Sequence, residues 1–194
     1  MARKIAIFDA HPDPDPARYG HGLAEAYASG AREAEHEVRT IMLGMLDVPF
    51  LRTREDWFVD ALAPEVVQPG QEAIRWADHL VFLYPLWLGG MAALLKAYLE
   101  QLMRPGFALD YGEGKDPKRL LGGRSARVVV TMGMPAFCYR AYYAAHSARS
   151  FKRNMLADTG IDPVSSSQIG NVEGSEGHRK RWLERMHAHG LDGD

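Results

Sequence analysis

The 194-residue chain is long enough for one α/β domain with a sizeable buried core. Its apolar fraction of 46%, charged fraction of 25% and formal charge of -2 are those of an ordinary globular protein, and they give no reason to expect nucleic acid or an anionic membrane surface as partner. A single cysteine, Cys138, excludes an intramolecular disulfide; Met1-Ala2-Arg3-Lys4 leads straight into a strand-like segment rather than a signal peptide, and no apolar run approaches the roughly 18 residues of a membrane span, so the expected location is the reducing cytoplasm, without membrane insertion.

Lys4 to Ala10 is a short run rich in β-formers and predicts a buried strand. Pro12, Pro14 and Pro16 then forbid helix and impose an extended loop. Gly22 to Glu35 places Leu23, Ala26, Tyr27 and Ala31 on one face and predicts a helix, followed by a second strand over Glu37 to Leu43. Residues 44–64 have no clean period and read as an irregular excursion with one short helix. A helix over Gln68 to Ala77 precedes a third strand, His79 to Tyr84, which is apolar on both faces, as a parallel sheet covered on two sides requires.

Pro85 to Gly90 reads as a turn, and Met91, Leu94, Leu95, Tyr98 and Leu102 carry a helical repeat. Residues 103–123 hold seven glycines and prolines and read as a long loop. A fourth strand over Ala126 to Thr131, a mostly helical stretch over Tyr139 to Thr159, a fifth strand over Asp162 to Ile169 and a polar helix over Ser175 to His189 complete the chain. Strands and helices alternate throughout. Right-handed crossovers then give a doubly wound, five-stranded parallel sheet of order 2-1-3-4-5 with helices on both faces, in one domain spanning residues 1–194.

Such sheets bind ligands at the carboxyl ends of their strands, beside the point where strand order reverses. Three strand ends are chemically unusual here: His11 to Tyr19, Pro85 to Gly90, and Thr131 to Pro135. Together they offer a helix N-terminus with His11, Arg18 and His21 as cations, an aromatic turn at Trp87, and a glycine-bearing loop with backbone N–H groups. That set suits a flavin, which joins phosphate to a large flat ring with polar edges.

His11-Pro12, the block Ala77 to Trp87, Leu94-Leu95-Lys96-Ala97-Tyr98 and Pro105-Gly106-Phe107-Ala108 resemble the flavodoxin-like NAD(P)H:quinone oxidoreductases, a group of diaphorase-type quinone reductases, modulators of drug activity and ancillary flavoproteins of potassium efflux systems. The resemblance implies a flavin, FAD or FMN, with NAD(P)H as co-substrate and quinone-like electrophiles as acceptors, in a two-electron ping-pong cycle. It implies that His11, Arg18, Tyr19 and His21 surround the flavin phosphates, and that Pro85, Leu86, Trp87, Leu88 and Gly89 wrap the ring. Thr131, Met132, Gly133 and Met134 would meet its pyrimidine side, and Tyr139 would stabilise reduced flavin. Ala17 and Gly20 replace the hydroxyl and amide residues that many members have in the phosphate loop, so the choice between FMN and FAD stays open. His146 stands one residue out of register with the family's active-site histidine and is a second catalytic candidate beside Tyr139.

The resemblance also implies a homodimer. Phe50, Leu51, Trp57, Phe58, Phe107 and Tyr111 supply more large apolar side chains than the loops of one domain should expose. Two alternatives are a regulatory subunit of a potassium efflux system and a flavodoxin-type electron carrier; the charge of -2 suits the second poorly. His187 and His189 are alternate residues on a helix and make a poor metal pair, and no G-x-S-x-G elbow is present. Cys138 reads as a small buried hydrophobe.

Overall fold

The computed structural model describes residues 1–58, 63–112 and 116–194. In chain order its elements are β1 (Lys4–Asp9), α1 (Tyr19–Glu33), β2 (Glu37–Met42), α2 (Arg54–Phe58), α3 (Gln68–Trp76), β3 (His79–Trp87), β4 (Gly90–Met91), α4 (Ala93–Leu102), β5 (Leu109–Asp110) and β6 (Lys118–Arg119). There follow β7 (Ser125–Thr131), α5 (Ala136–Ala141), α6 (His146–Ser150), a π-helical turn (Phe151–Leu156), β8 (Val164–Ile169) and α7 (Glu176–Asp192). The five parallel strands run β2-β1-β3-β7-β8, which is the expected order 2-1-3-4-5 when they are counted along the chain.

Side-chain alternation along each strand feeds two cores, one per face. Ile5 and Ile7 of β1, Val81 and Leu83 of β3 and Val129 of β7 pack with Leu23 and Tyr27 of α1 and Met186 of α7. The intervening residues Ala6, Phe8, Leu80, Phe82, Val128 and Val130 pack on the opposite side with Ile74, Leu95, Tyr98 and Phe151. Phe8 stacks on Phe82 across the β1–β3 ladder, with centroids 4.8 Å apart. Burial of the central strands β1 and β3 on both faces explains their apolar runs, Ile5 to Phe8 and Leu80 to Tyr84.

The helices α1 and α7 touch backbone to backbone. A Cβ added to Gly30 would stand 2.0 Å from the His187 carbonyl oxygen, and one added to Gly190 would stand 2.1 Å from that of Tyr27. Glycine is therefore required at both positions for this approach.

Several boundaries differ from the sequence reading. Helix α1 starts at Tyr19, three residues before the expected Gly22, so its first turn includes Gly20 and His21. The turn expected at Pro85–Gly90 is instead a hairpin: β3 continues to Trp87 and pairs antiparallel with β4, Leu86 opposite Met91 and Trp87 opposite Gly90. The helix expected over Tyr139–Thr159 starts at Ala136 and is interrupted before His146, where Ala144 and Ala145 take φ of 51° and 47°. No glycine or proline marks that break. The loop over 103–123 contains the short β5–β6 pair. The excursion over 44–64 contains α2, and within these two segments residues 59–62 and 113–115 lie outside the described residues.

Candidate functional site

A cleft of about 560 Å³ opens at the carboxyl ends of β1, β3 and β7. It brings together the three expected loops: His11, Arg18, Tyr19 and Gly20 from the first, Pro85, Leu86 and Trp87 from the second, and Thr131, Met132 and Gly133 from the third. Asp13, Val172 and Glu173 also line it. A larger groove of about 750 Å³ runs beside β8 and α7, but it contains none of the residues those three loops contribute.

The first wall is the β1–α1 loop. Arg18 occupies the N-cap position of α1, where no side chain caps the helix and no acidic residue lies in the first turn. The leading N–H groups of a helix have no intrahelical partner, and the helix dipole adds positive potential there. The His11 ring packs against Gly20, whose added Cβ would lie 3.3 Å from His11 Cδ2. Tyr19 is anchored by its hydroxyl, which donates to the Arg179 carbonyl at 2.9 Å, and burial pushes its pKa up to about 12.

Two features of this wall depart from the sequence reading. First, His21 faces inward: Nδ1 stands 2.5 Å from Asp9 Oδ2 and Nε2 stands 2.9 Å from the Asp13 carbonyl oxygen. It braces the loop from behind and is absent from the cleft lining. Second, Arg18 is not free, since its Nε and a terminal nitrogen contact Asp13 Oδ2 at 2.7 and 2.6 Å. The Asp13 carboxyl is held below the usual carboxylate range, first by the N–H of Asp15 and then, against some burial, by Arg18.

The second wall is the β3–β4 hairpin. Leu88 and Gly89, at φ of 49° and 79°, form its two-residue tip, the positive-φ pair of a type I′ turn. They stand at the rim rather than in the lining, and Leu88 projects fully into solvent. Trp87 lines the cleft and is 50% exposed.

The third wall is the end of β7. The Met132 N–H donates to the Ile169 carbonyl at 2.8 Å, so it belongs to the sheet. At Gly133 an added Cβ would meet nothing within 4 Å, which marks open space there. Met134 packs onto the core rather than the cleft.

Tyr139 lies elsewhere. It is fully buried, and its hydroxyl accepts the Ala148 N–H at 3.2 Å, bridging α5 to α6 across the break between them. His146 is exposed beside the hairpin tip: a Cβ on Gly89 would stand 3.9 Å from its Cε1, and its Nδ1 lies 3.0 Å from the Tyr143 carbonyl. It borders the second wall without lining the cleft. Sequence reasoning did not single out Val172 and Glu173, which follow β8 and carry no motif. Asp13 had a signal, the alternation of aspartate with proline, that points to side chains bonding their own backbone.

The flavodoxin-like fold family profile matches residues 3–189. The chain belongs to this flavodoxin-like family. Over its full length it superposes on an NAD(P)H:quinone oxidoreductase from Methanothermobacter marburgensis with a TM-score of 0.83 and 25% identity, covering 100% of both chains. An FMN-dependent NADH-azoreductase from Bacillus anthracis, solved with FMN, shares the fold at a TM-score of 0.76 and 18% identity, with 99% of each chain covered. Among curated relatives, a ribosyldihydronicotinamide dehydrogenase-like protein of Penicillium crustosum is 27% identical over 155 residues, 67% of this chain and 57% of the relative. An NAD(P)H oxidoreductase of Haemophilus influenzae is 28% identical over 114 residues, 58% of this chain and 56% of the relative. The flavodoxin-like chain thus spans little more than half the length of these curated relatives. No helix among its described residues is long and apolar enough to cross a membrane.

Proposed function

We propose that the chain is an NAD(P)H-dependent flavin oxidoreductase that reduces quinones or similar small electrophiles. The observation that carries this reading is the convergence of the three strand-end loops on one cleft with chemically distinct walls. The uncapped N-terminus of α1, with His11 and Arg18, is suited to phosphate. Trp87 offers an apolar face for a flat ring, and the space at Gly133 lets backbone approach the ring's polar edge. The cleft volume lies within the range of ordinary cofactor sites. FMN is the flavin named for several relatives, including an FMN-dependent NADH:quinone oxidoreductase of Ruegeria pomeroyi, 36% identical over 63 residues. We take FMN as the resident cofactor.

The chemistry a bound flavin supplies is hydride exchange between a nicotinamide and an acceptor. The protein's part is to bind, orient and exclude water. Trp87 and the hairpin form one side of the slot in which nicotinamide and acceptor would stack in turn, a ping-pong order. His146, at the edge of that hairpin, is placed to touch an acceptor entering from solvent. A homodimer would cover the exposed Phe50, Phe58 and Tyr111; Phe107, also expected at that surface, is buried in its own domain.

The test is to purify the full chain, read its visible flavin absorbance and identify the released flavin by mass. NAD(P)H oxidation is then followed with and without a soluble quinone. Bound FMN and quinone-dependent turnover are expected. A colourless protein that fails to bind added FMN or FAD at micromolar concentration would overturn the reading.

A further inference from the structure

The loop that would receive the anionic end of the ligand is itself acidic. Asp9, Asp13 and Asp15 each use one carboxylate oxygen on the N–H two residues onward: His11 at 3.3 Å, Asp15 at 3.0 Å and Ala17 at 3.0 Å. This ladder of side-chain turns holds a stretch whose prolines cannot donate. Asp13 does something more. Its Oδ1 takes the Asp15 N–H, while its Oδ2 takes two nitrogens of Arg18. Asp15 stands 3.8 Å from the same guanidinium. The cation at the mouth of α1 is therefore already held by carboxylates.

We propose that Asp13 is a built-in competitor for Arg18 and sets the affinity for the phosphate-bearing part of the flavin. The inference rests on the flavin reading above. Both side chains are substantially exposed, and exposed pairs of this kind are weak, so Arg18 can be handed to an incoming phosphate. The carboxylate cannot leave with equal ease. The Asp13 carbonyl is held by His21, and its N–H lies 3.2 Å from His11 Nδ1. After the exchange it stays beside the phosphate, well inside a Debye length of about 8 Å, and repels it. Affinity for the phosphate is thus limited twice, by competition for Arg18 and by residual repulsion.

Asp13→Asn separates the two duties of this residue. It keeps the Oδ1 acceptor for the Asp15 N–H and removes the charge that holds Arg18. The measurement is the Kd of the full chain, freed of co-purified flavin, for FMN and for riboflavin, which carries the same ring without phosphate. Asp13→Asn is expected to tighten FMN about three- to tenfold and to leave riboflavin unchanged, with the gain shrinking as salt is raised. In an Arg18→Gln background the same substitution should gain less, because the competition is gone. Asp13→Ser, whose hydroxyl also accepts from the N–H two residues on, provides a second variant if the asparagine disturbs the loop. Unchanged or weaker FMN binding in both variants, with riboflavin binding intact, overturns the inference. Wild-type protein that binds neither flavin overturns the functional reading instead.

Discussion

Both ring nitrogens of His21 face oxygen, Nδ1 2.5 Å from the Asp9 carboxylate and Nε2 2.9 Å from the Asp13 carbonyl. Neither partner can donate in return, so the imidazolium is the form that satisfies all three groups. Burial opposes that charge, and the bonds to Asp9 and Asp13 overcome it, leaving the pKa above the ordinary 6.5. A raised folded-state pKa means that the stabilisation is complete below the unfolded value and is lost as pH climbs through the folded one. Urea midpoints measured from about pH 6 to 9 should therefore fall toward the alkaline end for the wild type. His21→Gln should be less stable at the acid end and flatter across the range. Parallel curves for the two proteins would remove this charge from the account.

The crossing of α1 and α7 yields the opposite of the usual rule for glycine in a helix. Replacing an exposed helical glycine with alanine normally stabilises by about 0.5–1 kcal/mol. At Gly30 the new Cβ would lie 2.0 Å from the His187 carbonyl oxygen, and backbone cannot rotate away. Gly30→Ala should cost about 1–3 kcal/mol, the usual range for overpacking. A thermal midpoint that rises in this variant would show that the helices part without penalty.

Trp87 and Tyr139 should respond to substitution in different currencies. Trp87→Ala removes an exposed aromatic wall of the cleft, so the thermal midpoint of the flavin-free protein should barely move while FMN affinity drops. A loss of about 1–3 kcal/mol in binding matches one large apolar contact. Tyr139→Phe keeps the buried ring and strands the Ala148 N–H, a cost of about 1–3 kcal/mol in stability. Its rate of reduction by NAD(P)H in stopped flow should stay near that of the wild type. A slowed reduction with unchanged stability would return Tyr139 to the catalytic list.

The centre of the sheet was legible because its strands β1 and β3 announce themselves by composition, whereas the edge strands β2 and β8 are partly polar. Ile5 to Phe8 and Leu80 to Tyr84 are apolar on both faces, and only a covered parallel strand accepts that. The site was legible as loops but not as side chains. Strand order placed residues 11–20, 85–87 and 131–133 together, whereas the direction of each side chain depends on partners far away in sequence. Tyr139 is oriented by Ala148 beyond a helix break that two alanines in left-handed geometry create without a glycine or proline to mark it. His21 lies within the first turn of α1, which starts three residues before the expected Gly22, and its ring meets Asp9 behind the loop.

Leu88 supplies the last prediction. At φ of 49° it occupies the first central position of a type I′ turn, where Cβ strain disfavours any residue but glycine, asparagine or aspartate. Its side chain is wholly exposed, so no packing among the described residues compensates for that strain. Leu88→Asn creates the Asn-Gly pair that such turns prefer, and it should stabilise the isolated chain by about 1 kcal/mol. The tip thus carries an apolar side chain where both backbone and solvent argue for a polar one. If the homodimer proposed above uses the hairpin, the same substitution should weaken association while it strengthens the fold. Thermal midpoints read the first effect, and light scattering over a dilution series reads the second. A variant that gains stability and keeps the wild-type oligomeric state at every dilution would exclude Leu88 from the subunit contact and leave its exposed side chain to the rim of the cleft alone.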